Sequence, residues 1–411
     1  MGSVRDTAEA VWNGEAVLGD EPWRMFGGLE ELAEGVAFVA TFCNVIAVDT
    51  DDGLVVVDTG SPMTGPAAAA DVKGWRDAPV HTIVYTHGHV DHVMGATSFA
   101  GPKTRVVGHR AVAARFDRYR LTAGYNGAIN RRQFRIPGMK WPTSYRYPDL
   151  AYDDRLELTV GGRKLSLRHD RGETDDHTWV WLEDRKTICT GDLFIWAAPN
   201  CGNPQKAQRY PREWAAALRT MAALDAELLL PGHGPPIVGA ERVRRALSET
   251  AELLETLVEQ TLRWMNDGAP LDVVVQRVKA PAHLLERPYL RPVYDEPEFI
   301  VRNLWRLYGG WWDGDPSMLK PAPKVELAEE VAELSGGPMK LARRARDLSD
   351  AGEHRLACQL AELAALAAPY DAKVLELRAE VYRARLSEET SLMAKSVFRA
   401  AATEPPNRGY E

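Results

Sequence analysis

In the first half of the chain, apolar residues fall in short, nearly unbroken runs rather than at helical spacing. Val36 to Val48 and Leu54 to Asp58 read as strands separated by Thr50-Asp51-Asp52-Gly53, a turn whose residues favour a hairpin. A helix is expected over Ala67 to Trp75, followed by a buried strand at Thr82 to Tyr85. That β-α-β unit places chemistry at the strand's carboxyl end. The stretch from Arg115 to Tyr152 sustains neither period and reads as a lid insertion, set at about residues 111–152. From Leu156 strand patterns return at 156–160, 164–167, 178–182 and 187–190, and Glu213 to Ala223 with Ala226 to Leu230 adds a helix and a strand. Two β-rich halves with helices outside them predict an α/β fold, an αββα sandwich.

From Glu241 onward the spacing becomes helical, with Leu247, Ala251, Leu254, Leu257, Val258 and Leu262 three and four residues apart. Prolines at 281, 288, 292, 321 and 323 punctuate the link to a further series of amphipathic helices: Val325 to Leu334, Met339 to Leu348, His354 to Ala367, Ala372 to Ala384 and Ser391 to Ala401. The expected organisation is a catalytic domain over residues 1–270 and an all-α helical domain over 271–411. Those helices carry more alanine and leucine faces than a lone tail needs, which points to assembly as a homodimer.

Composition narrows the function classes. With 45% hydrophobic residues in 411, the chain can bury a large core. A net charge of −8 with scattered basic residues argues against nucleic acid, whose backbone needs a concentrated positive surface. No run approaches a membrane span or a secretory leader, and Cys43, Cys189, Cys201 and Cys358 form no Cys-x-x-Cys pair. A reduced, cytoplasmic protein with no membrane partner is therefore expected.

The chemistry concentrates in Thr86-His87-Gly88-His89-Val90-Asp91-His92. Four candidate metal donors within six residues, directly after a buried strand, suit a cation that activates water. On an extended segment residues i and i+2 point the same way, so His87 and His89 can share one ion while Asp91 and His92 face a second.

This His-x-His-x-Asp-His run resembles the signature of the metallo-β-lactamase superfamily. The resemblance implies a metallo-β-lactamase αββα sandwich and further ligands in chain order: His177 in Gly172-Glu173-Thr174-Asp175-Asp176-His177, Asp192 in Thr190-Gly191-Asp192, and His233 in Pro231-Gly232-His233-Gly234. It also implies that Asp58, closing Val55-Val56-Val57-Asp58-Thr59-Gly60, braces the metal loop without binding metal. Two Zn2+ ions are the implied cofactor, other divalent metals suiting the same donors. A metal-bridging hydroxide is the implied nucleophile, with Asp91, Asp58 and Asp192 in catalytic roles.

The later half is similar to a narrower branch, the bacterial alkylsulfatases, through Tyr308-Gly309-Gly310-Trp311-Trp312-Asp313-Gly314-Asp315-Pro316 and the helices after it, which form the dimer interface in that branch. The branch carries glutamates where His177 and Asp192 are aligned, and continues into a further C-terminal domain. Its sulfate-binding residues map onto the loop after Asp192, giving Asn200, Lys206 and Arg209 as substrate-binding candidates, with Tyr125 and Arg131 from the lid. Trp196, Trp141, Tyr125 and Phe134 are candidates to line an apolar channel. The expected activity is hydrolysis of a small anionic or ester substrate, a sulfuric ester first. Carboxylic esters, lactones or lactams are the alternative, favoured by His177, and a non-catalytic binding or scaffold protein is a second.

Overall fold

The computed structural model of the chain describes residues 3–16 and 28–406. Two compact units form. One runs through Gly127 and resumes from Lys140 to Trp311; the other comprises Ala128–Met139 and the chain from Trp312 onward.

The first unit opens with helix α1 (Val4–Trp12) and a seven-stranded sheet in chain order: β1 (Leu29–Ala33), β2 (Val36–Val39), β3 (Val45–Thr50), β4 (Gly53–Val57), β5 (Val80–Val84), β6 (Arg105–His109) and β7 (Leu150–Tyr152). The first four strands pair antiparallel; from β4 onward the pairing is parallel. Parallel neighbours need crossovers. Helix α2 (Gly65–Trp75) supplies the first; α3 (Val90–Val93) and α4 (Ala96–Phe99) lie in the second; α5 (Ala111–Leu121) and α6 (Ala123–Phe134) lie in the third, α6 running on into the second unit.

A six-stranded sheet completes the sandwich: β8 (Arg155–Val160), β9 (Arg163–His169), β10 (Thr178–Leu182), β11 (Thr187–Ile195), β12 (Leu228–His233) and β13 (Ile237–Val238). Its outer layer is α7 (Pro211–Ala222) and α8 (Ala240–Asn266), followed by α9 (Leu271–Arg277), α10 (Ala282–Leu285) and α11 (Pro297–Gly309). The compact first unit thus continues past residue 270, to Trp311.

Period-two alternation accounts for the layers. Val36, Phe38, Ile46, Val48, Val55 and Val57 share a core with Leu165, Leu167, Val180 and Leu182 of the other sheet. Their neighbours Ala37, Val39, Val45, Ala47, Leu54 and Val56 pack outward with Ala68, Val72 and Phe116. The outer face of the second sheet sets Trp179 and Ile188 against Trp214, Leu218, Leu247 and Leu254. Strands buried on both faces explain why the apolar runs are nearly unbroken.

The stretch after Arg115, where no period was expected, contains α5 and α6. On α5 the buried positions are Val112, Arg115, Phe116 and Tyr119. A buried arginine interrupts the apolar stripe, so periodicity does not reveal the helix.

In the second unit the expected helices form as α12 (Lys324–Ser335), α13 (Pro338–Asp350), α14 (His354–Ala367), α15 (Ala372–Glu388) and α16 (Leu392–Thr403). Small residues let them approach closely: Ala332, Leu341, Ala342, Ala364, Ala365 and Val374 make one cluster, Ala345, Leu348, Ala357, Ala361 and Val381 another. Among the described residues, no helix is long and apolar enough to cross a membrane.

Candidate metal centre

Strand β5 ends at Val84, and the chain from Thr86 turns across the carboxyl edge of the first sheet. Asp58 holds this turn in place. Its Oδ1 accepts the Thr86 N–H at 2.8 Å, and its Oδ2 accepts the Thr86 hydroxyl and the His92 Nδ1–H, each at 2.7 Å. Asp58 does so from a left-handed backbone conformation, φ 57°, which costs energy for a residue with a Cβ and recurs at functional sites. With Nδ1 of His92 committed as donor, its Nε2 is left as the lone pair facing inward. The Nδ1–H groups of His87 and His233 are held likewise, by Thr86 Oγ1 at 3.0 Å and by the Phe42 carbonyl.

These constraints gather donors into two adjoining groups. His87, His89, Glu173 and Asp192 form one, and Asp91, His92 and His233 the other. In the first, His87 Nε2 lies 2.8 Å from His89 Nδ1, and Glu173 Oε2 lies 3.6 and 3.5 Å from those nitrogens. In the second, Asp91 Oδ2 lies 3.8 Å from His92 Nε2 and 3.4 Å from His233 Nε2. Asp192 faces both: its Oδ2 is 3.9 Å from His87 Nε2 and 3.5 Å from His233 Nε2, and its Oδ1 is 3.3 Å from His92 Nε2.

His177 is brought near but not into either group. Its Nε2 accepts the Asp192 N–H at 3.1 Å, so its lone pair is already used, and its ring stacks on His87 with centroids 4.7 Å apart. Glu173, four residues earlier in the same loop, takes the position that the sequence reading gave to His177.

The donors fit cations. His92 Nε2, Glu173 Oε2 and Asp192 Oδ1 are buried and make no hydrogen bond of ordinary geometry among the described residues, whereas buried polar atoms are otherwise almost always paired. Burial holds His87 and His89 far below the usual imidazole range, aided by His92 for His87 and by Arg115 for His89, and neutral imidazole is the form that ligates. Burial also raises Glu173, Arg209 opposing it and Asp192 adding to it. His233 moves the other way: burial works against its charge, but Asp192 and then Asp91 outweigh burial and carry it up to about 10. A cluster in which buried carboxylates retain protons on their neighbours has room for positive charge.

Of the substrate-binding candidates, two turn away from the expected role. Asn200 Nδ2 donates to Glu173 Oε1, and Arg209 Nη1 lies 3.1 Å from that same oxygen, its side chain 3% exposed. Lys206 is half-buried with Nζ 5.4 Å from the Trp141 ring centroid, a cation–π distance. Burial and then Arg209 lower its pKa to about 8. Tyr125, 59% exposed, donates from its hydroxyl to the Gln205 carbonyl at 3.3 Å. Arg131 belongs to the second unit, where it donates to the Met139 carbonyl at 2.9 Å. Trp196 is core, edge-on to Trp12 and Tyr289, with its indole N–H on the Pro235 carbonyl.

Three further residues lacked a sequence signal. Arg115 Nε lies 2.8 Å from Asp176 Oδ2, which accepts the Gly88 N–H at 2.9 Å, so α5 fixes the backbone between His87 and His89. Tyr294, half-buried ahead of α11, has its pKa raised by burial and then by Glu173 and Asp91.

Comparison with known proteins accords with this geometry. The Metallo-beta-lactamase superfamily model matches residues 39–233, and the Alkyl sulfatase dimerisation model matches residues 271–407. A linear primary-alkylsulfatase from Pseudomonas sp. (strain ATCC 19151) is 27% identical over 82% of this chain and 69% of its own length. An (R)-specific secondary-alkylsulfatase from Pseudomonas sp. is 24% identical over 88% of this chain; this chain spans only 59% of that relative. The solved structure of a stereoselective inverting sec-alkylsulfatase from Pseudomonas sp. superposes with a TM-score of 0.84 at 23% identity, covering 92% of this chain and 65% of that one. The sandwich and the two family matches agree: residues 39–233 form a domain of the metallo-beta-lactamase superfamily, and residues 271–407 a domain of the alkyl sulfatase dimerisation type.

Proposed function

We propose that this chain is a dinuclear zinc hydrolase of sulfuric esters that works as a homodimer. The observation that carries the reading is the convergence of seven donors into two groups sharing Asp192: His87, His89 and Glu173 on one side, Asp91, His92 and His233 on the other. Zinc ions bound there would lower the pKa of water and polarise an ester oxygen. Around them the chain's own residues aim the donors: Asp58 accepts a hydrogen bond from His92 Nδ1, and Thr86 and the Phe42 carbonyl accept those of His87 and His233. Lys206 is the cation we assign to the ester's anionic oxygens. Asn200 and Arg209 are engaged with Glu173 and leave that list.

The names of the relatives support a sulfuric ester as substrate. Hydrolysis of a carboxylic ester, lactone or lactam draws its support from a histidine at 177 among the ligands; Glu173 Oε2, at 3.6 and 3.5 Å from His87 and His89, argues against that reading. The test is metal content of protein purified without added metal, together with catalytic efficiency on sulfate and carboxylate esters of one alcohol. Two zinc ions and preferential turnover of the sulfate ester are expected. Turnover of the carboxylate ester alone would overturn the substrate, and protein free of metal yet active would overturn the centre.

A further inference from the structure

We propose that Arg209 and Asn200 are positioning residues for Glu173 and that α11, through Asn303, holds Arg209 in that role, so that the helical segment after the sandwich completes one metal site. The inference rests on the reading of Glu173 as a ligand.

A glutamate's terminal torsion is broad and two-fold, so an unrestrained carboxylate can offer either oxygen or both. Here one oxygen is taken. Asn200 and Arg209 converge on Oε1 from one side, and Arg209 also donates to the Glu173 carbonyl. That fixes both ends of the residue and leaves Oε2, which makes no hydrogen bond among the described residues, as the oxygen facing His87 and His89.

Arg209 is itself held by its main chain. The side-chain amide of Asn303, on α11, donates to the Arg209 carbonyl at 3.0 Å and accepts its N–H at 3.4 Å, closing a two-point clasp. Gln208 Nε2 adds a bond of 2.8 Å to Asn303 Oδ1, and Arg306, one turn along α11, donates from Nε to Gln208 Oε1 at 2.9 Å. Asn303 is 5% exposed, so no water can replace it without opening the packing. The relay runs from α11 through Asn303 and Arg209 to Glu173, with no gap longer than a hydrogen bond or ion pair. Partners of ligands placed in this way commonly alter metal affinity about tenfold to a hundredfold.

The experiment uses the full chain and reads zinc affinity for each of two ions by competition with a chromophoric chelator. Arg209→Met and Asn303→Ala should each weaken one ion about tenfold to a hundredfold and leave the other unchanged. Glu173→Ala should weaken the same ion, and adding Arg209→Met to it should produce little further loss, because the two act as one unit. Asn303→Ala, which removes no charge, serves if Arg209→Met does not fold. Equal weakening of both ions, or an Arg209→Met effect undiminished in the Glu173→Ala background, would overturn the proposal. A parent protein binding two ions with affinities that Arg209→Met leaves untouched defeats this inference alone. A parent that binds no zinc removes the metal reading itself, and this proposal with it.

Discussion

Asp58 shows how much of the site one side chain settles. Its two oxygens accept three donors, and the proton it takes from His92 Nδ1 decides which nitrogen of that ring faces the metal groups. Asparagine tolerates the left-handed backbone at this position, so Asp58→Asn tests the hydrogen bonds rather than the turn. The amide has only one acceptor oxygen for three donors, and the proton on His92 loses its partner. Activity should fall about tenfold to a hundredfold with an unchanged circular dichroism spectrum, and most of the metal should remain at saturating zinc. Wild-type turnover would show that Asp58 does not govern the site. Lys206 gives a second test. Truncation to alanine should remove a charge-assisted contact of ~1.5–3 kcal/mol from a sulfate ester, a tenfold to hundredfold fall in kcat/KM, and barely alter a neutral carboxylate ester of the same alcohol. Equal effects on both esters would count against it. At this scale, what was legible in the sequence is what is local. His87, His89, Asp91 and His92 lie within six residues, so their pattern alone points to a metal. Glu173 and His177 share one loop, and which of them meets the cluster turns on where the Asp192 N–H points, a contact between that loop and β11 that no pattern in the chain announces. Asn200 and Arg209 were legible as polar residues near the site, but nothing in the sequence tells a cation that meets a substrate from one that meets a buried carboxylate.

Elements matter through their ends. Strands β11 and β12 run parallel, β11 carrying Asp192 three residues before its end and β12 stopping at His233, and the backbones approach so closely that Gly232 faces Asp192 directly. A Cβ at Gly232 would lie 2.2 Å from Asp192 Oδ1 and 2.9 Å from the Gly191 carbonyl carbon. The side chain could rotate away, but only by surrendering its position between the two donor groups, and the backbone contact cannot relax without parting the strands. Gly232→Ala should therefore lower zinc content and activity while keeping most of the secondary structure, and full metal loading at wild-type activity would show that the strand ends are looser than they look. The strands themselves were readable because period-two alternation and doubly buried faces leave long apolar runs. Helix α5 was not: with Arg115 among its buried residues, its inward face is partly ionic, satisfied by Asp175 and Asp176. The C-terminal helices were readable to within four residues at each end, because alanine and leucine recur at helical spacing between Pro and Gly punctuation.

For the whole molecule, the question is what the second unit's outer surface does. Helix α12 turns Ala328 and Ala332 inward, 0% and 3% exposed, and presents Leu327 and Leu334 outward at 55% and 86%. These two leucines are seven residues apart and share one face of the helix. Apolar side chains this exposed are unremarkable singly, but paired on one face of a segment matched by the Alkyl sulfatase dimerisation model they fit a surface covered by a second copy. A symmetric pair would bury the same patch from both copies, so each substitution acts twice. Leu327→Glu with Leu334→Glu places four carboxylates in the apolar centre of such an interface, where charges are depleted. The side chains already face solvent in the single chain, so its fold should be indifferent to the change. Sedimentation velocity at micromolar concentration should then show a dimer for the parent and a monomer for the double variant, with zinc content and thermal unfolding of the catalytic unit nearly unchanged, since its donors all lie before Gly234. A double variant that sediments as the same dimer would rule out this face as the interface.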